Sequence, residues 1–207
     1  MNKHSQRGLT LIELIVTVTI VAILAAVATP SLREMVENNR LTALNNQLVS
    51  TLNYVRAEAV KRNYPVTMCV RKADGSGCVD KTSTDGFDNG WIVFVDCNGN
   101  DAIDASGCNY GSGNTNAAEE ILLDTMPNFN GVTVTGPDTI PNNITPSIRY
   151  KPNGGIAGVS GSLVLNTDTQ EYEQDLNASG VARYKIKIQS ATGRIRSCKI
   201  PTGGSDC

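Results

Sequence analysis

The hydrophobic positions of this chain change their period twice. An almost unbroken apolar run from Leu9 to Ala28 comes first, after a polar leader that holds Lys3 and Arg7 and no acid. As a helix rising about 1.5 Å per residue, such a run would cross the roughly 30 Å hydrocarbon layer of a bilayer. Beyond Pro30, Leu41, Leu44, Leu48, Leu52, Val55 and Ala59 recur at steps of three and four, while Glu37, Arg40, Asn46 and Arg56 are polar. That is one apolar face of an amphipathic helix, and Pro65 ends it. Regular heptads are missing, which argues against a coiled coil. Pro30 is expected to bend or interrupt the helix, and Ser31 followed by Glu34 reads as a capping box that restarts it. Leu9 to Arg62 would then form one bent helix of about 80 Å.

From Tyr64 onward the runs are short and β-like: Val66–Arg71, Trp91–Val95, Ile121–Thr125, Val132–Val134, Ser147–Lys151, Leu163–Leu165, Tyr184–Ile188 and Ile195–Ile200. Turn residues such as Asp-Gly, Asn-Gly and Pro-Asn-Gly-Gly separate them. Many short strands following one long helix predict an α+β chain, with an antiparallel β-sandwich packed on the amphipathic half of the helix. No internal repeat or long linker divides residues 64–207, so they read as one globular β domain.

The leader sets the orientation. Its basic residues place the N-terminus on the cytoplasmic side and everything after Ala28 on the far side. An ordinary signal peptide has a shorter apolar core and a small-residue cleavage site after it. Glu13 also argues against a plain anchor, because a carboxylate in hydrocarbon is costly and normally has a partner and a task.

Composition narrows the chemistry. The one histidine, His4, lies in the leader, which argues against Ser-His-Asp and Cys-His catalysis and against His-ligated metals. No catalytic set, metal site or cofactor is expected. The cysteines are Cys69, Cys78, Cys97, Cys108, Cys198 and Cys207. They point to disulfides in an oxidising compartment, and no Cys-x-x-Cys spacing suggests zinc or redox work. Local pairs Cys69–Cys78, Cys97–Cys108 and Cys198–Cys207 would each close a short polar loop. Asp96, Asn98, Asn100, Asp101 and Asp104 resemble oxygen ligands in a tight turn. A calcium loop of the EF type needs Gly and Glu where this chain has Asp101 and Gly107, so a plain hairpin turn is the better reading. Trp91, in an apolar strand, is expected in the core or on a sheet face.

The order basic leader, Gly8, Leu-Thr-Leu-Ile-Glu, apolar helix closely resembles the class III signal of type IV prepilins and type II secretion pseudopilins. The resemblance implies a leader of residues 1–8, cut by prepilin peptidase between Gly8 and Leu9, with Leu9 then methylated. Phe is commoner there than Leu. It also implies that residues 9–30 form the transmembrane or filament-core half of the helix and 31–63 the amphipathic half. Glu13 falls at the position of the family's assembly acid, where it would pair with a neighbour's N-terminal amine, and Pro30 at that of its helix-kinking proline.

The segments GWIVFVDCNGNDAID, EEILL, IRYKPNGGIAG, GSLVLNT and RYKIKIQSATGRIR follow in the order found in GspH/FimT-type minor pilins. That family implies a pilin-like fold and, as partners, other major and minor pilins through the N-terminal helix. It implies residence in the inner membrane, with a periplasmic domain, before incorporation in an extracellular pilus. Closure of the C-terminus by Cys198–Cys207 resembles the C-terminal disulfide loop of many pilins. A GspH-like pseudopilin of a secretion system is the neighbouring alternative.

Charge is uneven. Arg183, Lys185, Lys187, Arg194, Arg196 and Lys199 face only Asp206 within residues 181–207, in a chain of net charge −2. Alternation puts Arg183, Lys185 and Lys187 on one strand face, and Arg194 and Arg196 likewise on one face. Such a stripe suits a polyanion, but it equally suits a solvated strand or pairing with the acidic segment Glu171–Asp175. Gly193-Arg194-Ile195-Arg196 resembles the GRxR motif with which FimT-type pilins contact DNA, which implies double-stranded DNA, bound without sequence preference, as a further partner. Related pilins with assembly roles carry similar endings.

Overall fold

The helix α1 runs unbroken from Leu11 to Arg62 in the computed structural model. Described are residues 10–79, 87, 90–109, 117–125, 132–135, 147–160, 164–166, 171–178 and 183–200, with residues 30, 132–135, 158–160, 164–166, 171–178 and 183 by their backbone. Thr10 starts the helix: its Oγ1 accepts the Glu13 N–H at 3.3 Å and its carbonyl accepts the Leu14 N–H at 3.2 Å. Thr10 and Glu13 have the Thr-x-x-Glu spacing of a capping box. The box expected at Ser31 and Glu34 has no helix end to cap, because the helix continues through Pro30. One missing N–H does not end a helix flanked by Ala25, Ala26, Ala28, Leu32, Arg33 and Glu34, which favour it.

The chain divides into two compact units, Met1–Val36 and Glu37–Cys207. In the first, the large apolar side chains from Leu11 to Val36 are exposed. In the second, the predicted stripe is buried as a whole: Leu41, Leu44, Leu48, Leu52, Val55 and Ala59 are each at most 1% exposed. Glu58 on the same helix accepts from Lys61 Nζ at 3.2 Å and Arg62 Nε at 2.6 Å, and the Arg62 bond holds its carboxyl below the ordinary value.

Ten strands are described within the second unit. The first sheet contains β1 (Val66–Val70), β2 (Trp91–Val95), β3 (Ile121–Thr125), β5 (Ser147–Tyr150) and β6 (Ile156–Ser160), in the order β3-β2-β1-β5-β6. The second contains β4 (Val132–Thr135), β7 (Val164–Asn166), β8 (Glu171–Ala178), β9 (Arg183–Gln189) and β10 (Ile195–Ile200), in the order β10-β9-β8-β4, with β7 also on β8. All pairings are antiparallel. The expected strands are present within about a residue or two, Leu163 lying outside the described residues. Two were missed. β6 reads Ile-Ala-Gly-Val-Ser, and its glycine weakens a strand signal. β8 reads Glu-Tyr-Glu-Gln-Asp-Leu-Asn-Ala, too polar to resemble a strand in isolation.

Both sheets contribute to one core with the helix stripe: Val66, Met68, Val70, Trp91, Val93, Ile148 and Tyr150 from the first, Ile186 and Ile188 from the second. Trp91 is a core residue, as expected. Polar bonds fix the helix to the second sheet, with Thr42 Oγ1 3.1 Å from Tyr184 Oη and Ser197 Oγ donating to Asn45 Oδ1 at 2.5 Å. Strands β1 and β2 are buried on both faces. Their outer residues Cys69, Ile92 and Phe94 form a second cluster with Cys78 and Ile103, which come from the flanking loops. This double burial is why both strands read as continuous apolar runs rather than alternating ones.

Truncation of Leu48 to Ala should lower the unfolding free energy by about 2–5 kcal/mol in a chemical denaturation, because a buried side chain leaves a cavity. The same truncation at Val60, which is 53% exposed on the same helix, should cost under about 0.5 kcal/mol.

Candidate functional site

Three places carry the residues that the sequence singles out. The first is the unit Met1–Val36. Leu11, Ile12, Leu14, Val18, Val21, Leu24 and Val27 are all more than half exposed, so the helix is apolar on every face. Its most apolar 18-residue window has mean hydropathy 2.7. The threonines do not spoil this surface. Thr17, Thr19 and Thr29 donate their hydroxyls to the carbonyls of Leu14, Ile15 and Ala25 at 2.7–2.8 Å. Each hydroxyl is thereby satisfied without water, as a helix in hydrocarbon requires. Glu13 lies in the first turn, where the helix dipole favours a negative charge. Gly8 and Leu9 lie outside the described residues.

The second place is the segment Asp96–Cys108. Asp96 is fully buried. Its carboxylate accepts the N–H groups of Gly99 at 2.7 Å, Asn100 at 3.2 Å and Asp101 at 3.2 Å, and the Thr67 hydroxyl at 2.8 Å. Arg149, on β5, completes the arrangement. Its guanidinium Nη1 reaches Asp96 Oδ2 at 3.3 Å, Asp101 Oδ1 at 3.1 Å and the Gly99 carbonyl oxygen. Two carboxylates and a carbonyl thus converge on a cation, and that cation belongs to the chain. Asp101 is held at φ 64°, which a short polar side chain tolerates.

The expected plain hairpin turn is therefore corrected to a loop folded around a buried carboxylate. Its organiser, Arg149, lies 53 residues away and could not be read from the local spacing. The Cys97–Cys108 bridge closes the loop, and Cys69–Cys78 closes its neighbour, both as expected. Cys198 is disulfide-bonded as well, and its expected partner Cys207 lies outside the described residues. Glu119 approaches the sulfurs of Cys97 and Cys108 within 4.8 Å. This is no metal centre, because the sulfurs are bonded to each other. Both Glu119 oxygens accept backbone N–H groups, from Cys97 at 2.8 Å and Asp104 at 3.0 Å. Burial nevertheless pushes the Glu119 carboxyl above its ordinary value.

The third place is the β9–β10 hairpin. Ile186 and Ile188 are buried, so Lys185 and Lys187 occupy the opposite face, as the alternation predicted, while Arg183 is described by its backbone alone, in register with Ile200. Arg196 is registered against Lys187, and Gln189 N–H donates to the Arg194 carbonyl at 3.0 Å. The exposed Arg194 and Arg196 thus extend that face to the sheet's edge strand. Lys199 does not join them. It is registered against Tyr184 and lies on the helix-facing side. On its other flank β9 pairs with β8, which sets Glu173 against Lys187 and Asp175 against Lys185. The six basic residues are therefore not one surface.

Gly193 fixes the start of this edge. It has φ 65°, and a Cβ there would overlap the Gly154 carbonyl and come within 2.7 Å of Tyr150 Cε1. Tyr150 Oη donates to the Gly193 carbonyl at 3.4 Å, and burial pushes the Tyr150 hydroxyl well up from its usual value. Ile156 N–H donates to the Ser190 carbonyl at 3.0 Å. The glycine of the GRIR stretch is thus required by contact between the two sheets.

An apolar helix bearing one acid in its first turn, joined to a disulfide-closed β domain, has the architecture of the pilin class, and the helix fits membrane anchoring. Residues 3–29 match the family described as the prokaryotic N-terminal methylation motif, and residues 44–182 match the family described as type II transport protein GspH. The chain belongs to the GspH family. The crystal structure of the type IV minor pilin FimU of Pseudomonas aeruginosa (strain PAO1) is similar at 17% identity and a TM-score of 0.48, covering 78% of this chain and 90% of that one. Among curated proteins none matches. Arg194 and Arg196 fall outside both matched spans.

Arg149→Met should destabilise the domain by about 2–4 kcal/mol, since it leaves a buried carboxylate without its counter-charge. Excess EDTA should leave the melting midpoint of the unaltered protein where it is, because a guanidinium and not a metal closes the loop. Gly193→Ala should cost about 2 kcal/mol or more, from positive φ and overlap together, when measured by denaturant titration.

Proposed function

We propose that this chain is a minor type IV pilin. It is cut between Gly8 and Leu9 by prepilin peptidase and methylated on Leu9, and it waits in the inner membrane with its N-terminus cytoplasmic and its β domain periplasmic. It then enters a pilus among major and minor pilins. Its role there is structural: it helps initiate or cap assembly at the tip while presenting Arg194 and Arg196 to double-stranded DNA. The observation that carries the reading is the helix Leu11–Val36, with its apolar side chains exposed and Glu13 in its first turn.

A buried bundle of such helices would satisfy every apolar face, and Glu13 would find its partner in a neighbour's N-terminal amine. Pro30 would supply a bend between the filament core and the domain. The arginines suit phosphate because a planar guanidinium donates two parallel hydrogen bonds. Contacts of that kind are independent of sequence and weaken with salt. A second reading, a pseudopilin of a type II secretion system, is favoured by the description of the matching family.

Deletion in the host should abolish pilus-dependent twitching or transformation and leave exoprotein secretion intact. Loss of secretion alone would identify the pseudopilin. The chromosomal variant Arg194→Ala/Arg196→Ala should keep its pili and lose most transformation, by tenfold or more on the order of one contact's free energy. Unchanged transformation in that variant would remove DNA from the function and leave assembly alone.

A further inference from the structure

We infer that strand β8 acts as an electrostatic guard, which confines any polyanion to the edge strand β10 and keeps it off the face of the sheet. The inference rests on the DNA-binding reading above and adds the direction and size of the contact.

The argument begins with register. In antiparallel strands, residues directly opposite one another occupy the same face. The rows across β8, β9 and β10 therefore run Glu173, Lys187, Arg196 and Asp175, Lys185, Cys198. A further row starts from Glu171 and Gln189, and the Gln189 amide leads on to Arg194. Charge thus changes sign from strand to strand: acids on β8, lysines on β9, arginines at the edge. On its far side, among the described residues, the register partners of its acids are neutral: Thr135 against Asp175, Val164 against Glu173 and Asn166 against Glu171. Among the described residues the basic register partners of its acids come from β9.

Opposite charges in directly paired positions attract and largely cancel at a distance. Lys185 and Lys187 each already have an interaction partner. Arg194 and Arg196 are exposed, and among the described residues neither has an ion-pair partner. The register puts three acidic positions in rows on β8, and Arg194 and Arg196, without an ion-pair partner among the described residues, at the β10 edge. The face therefore steers a duplex to one side. Its footprint is two strong phosphate contacts, not the larger number that the basic residues of the C-terminal segment suggest.

The test uses the full chain in a non-ionic detergent, with two labelled 30-base-pair duplexes of unrelated sequence titrated at several salt concentrations. The slope of log affinity against log salt should be about −1.8 for the unaltered protein, from about 0.9 per phosphate contact. Glu173→Gln/Asp175→Asn should bind both duplexes more tightly and steepen the slope to about −3.6, as Lys185 and Lys187 join the contact. Each single variant should fall between, which keeps the test usable if the double variant folds poorly by near-UV circular dichroism. If the unaltered protein binds and the folded variants keep its slope, the guard is overturned and the DNA reading stands. If only the variants bind, the guard stands and DNA is not the native partner. If neither binds, both fail.

Discussion

Burial of one apolar stripe on α1 is the constraint on which the rest of the structure depends. Leu41, Leu44, Leu48, Leu52, Val55 and Ala59 leave water only because two antiparallel sheets close over them. Each sheet alone would expose an apolar face, and the helix half alone would be marginal in water. Upstream the same helix carries exposed apolar residues on all sides. One continuous element thus has two different solvents to satisfy. Membrane lipid, or other helices of the same kind, is the environment that suits the first unit.

The outer face of the first sheet poses a second packing problem. Cys69, Ile92 and Phe94 would be exposed there, and loops cover them instead of another layer of regular structure. Loops carry many backbone polar groups, and burying them demands partners. Asp96 supplies several at once by gathering consecutive N–H groups on one carboxylate. Its own charge is met by Arg149 from a strand of the same sheet. The disulfides close the two loops covalently. A guanidinium here occupies the place that a divalent cation takes in loops of similar composition.

Membership of the GspH family fixes the class of the molecule, and it leaves the chemistry of the C-terminal hairpin to be argued from geometry. Two facts shape that argument. Gly193 is held between Gly154 and Tyr150, so the arginine pair begins at a rigid junction of the two sheets. The lysines of β9 are in register with acidic positions of β8, and Arg196 lies on the sheet's edge strand.

Local periodicity determined much of this protein. The three-and-four spacing of apolar residues named the buried hydrophobic stripe, though not Asn45, Thr51 and Glu58 buried beside it, and β-type runs located most strands, because a side chain's face follows from the spacing of its own neighbours. Strand β8 was invisible for the converse reason: its polar sequence is a strand only because β9, β4 and β7 flank it and complete its hydrogen bonds. Thr10 could have been read as the helix cap from its spacing to Glu13, and the stronger apolar signal hid it. Arg149's role and the seat of Gly193 join residues far apart in the chain. No local pattern encodes such pairs. They exist only once the backbone has closed, because a charge interaction or a steric overlap depends on distance in space and not on separation along the sequence.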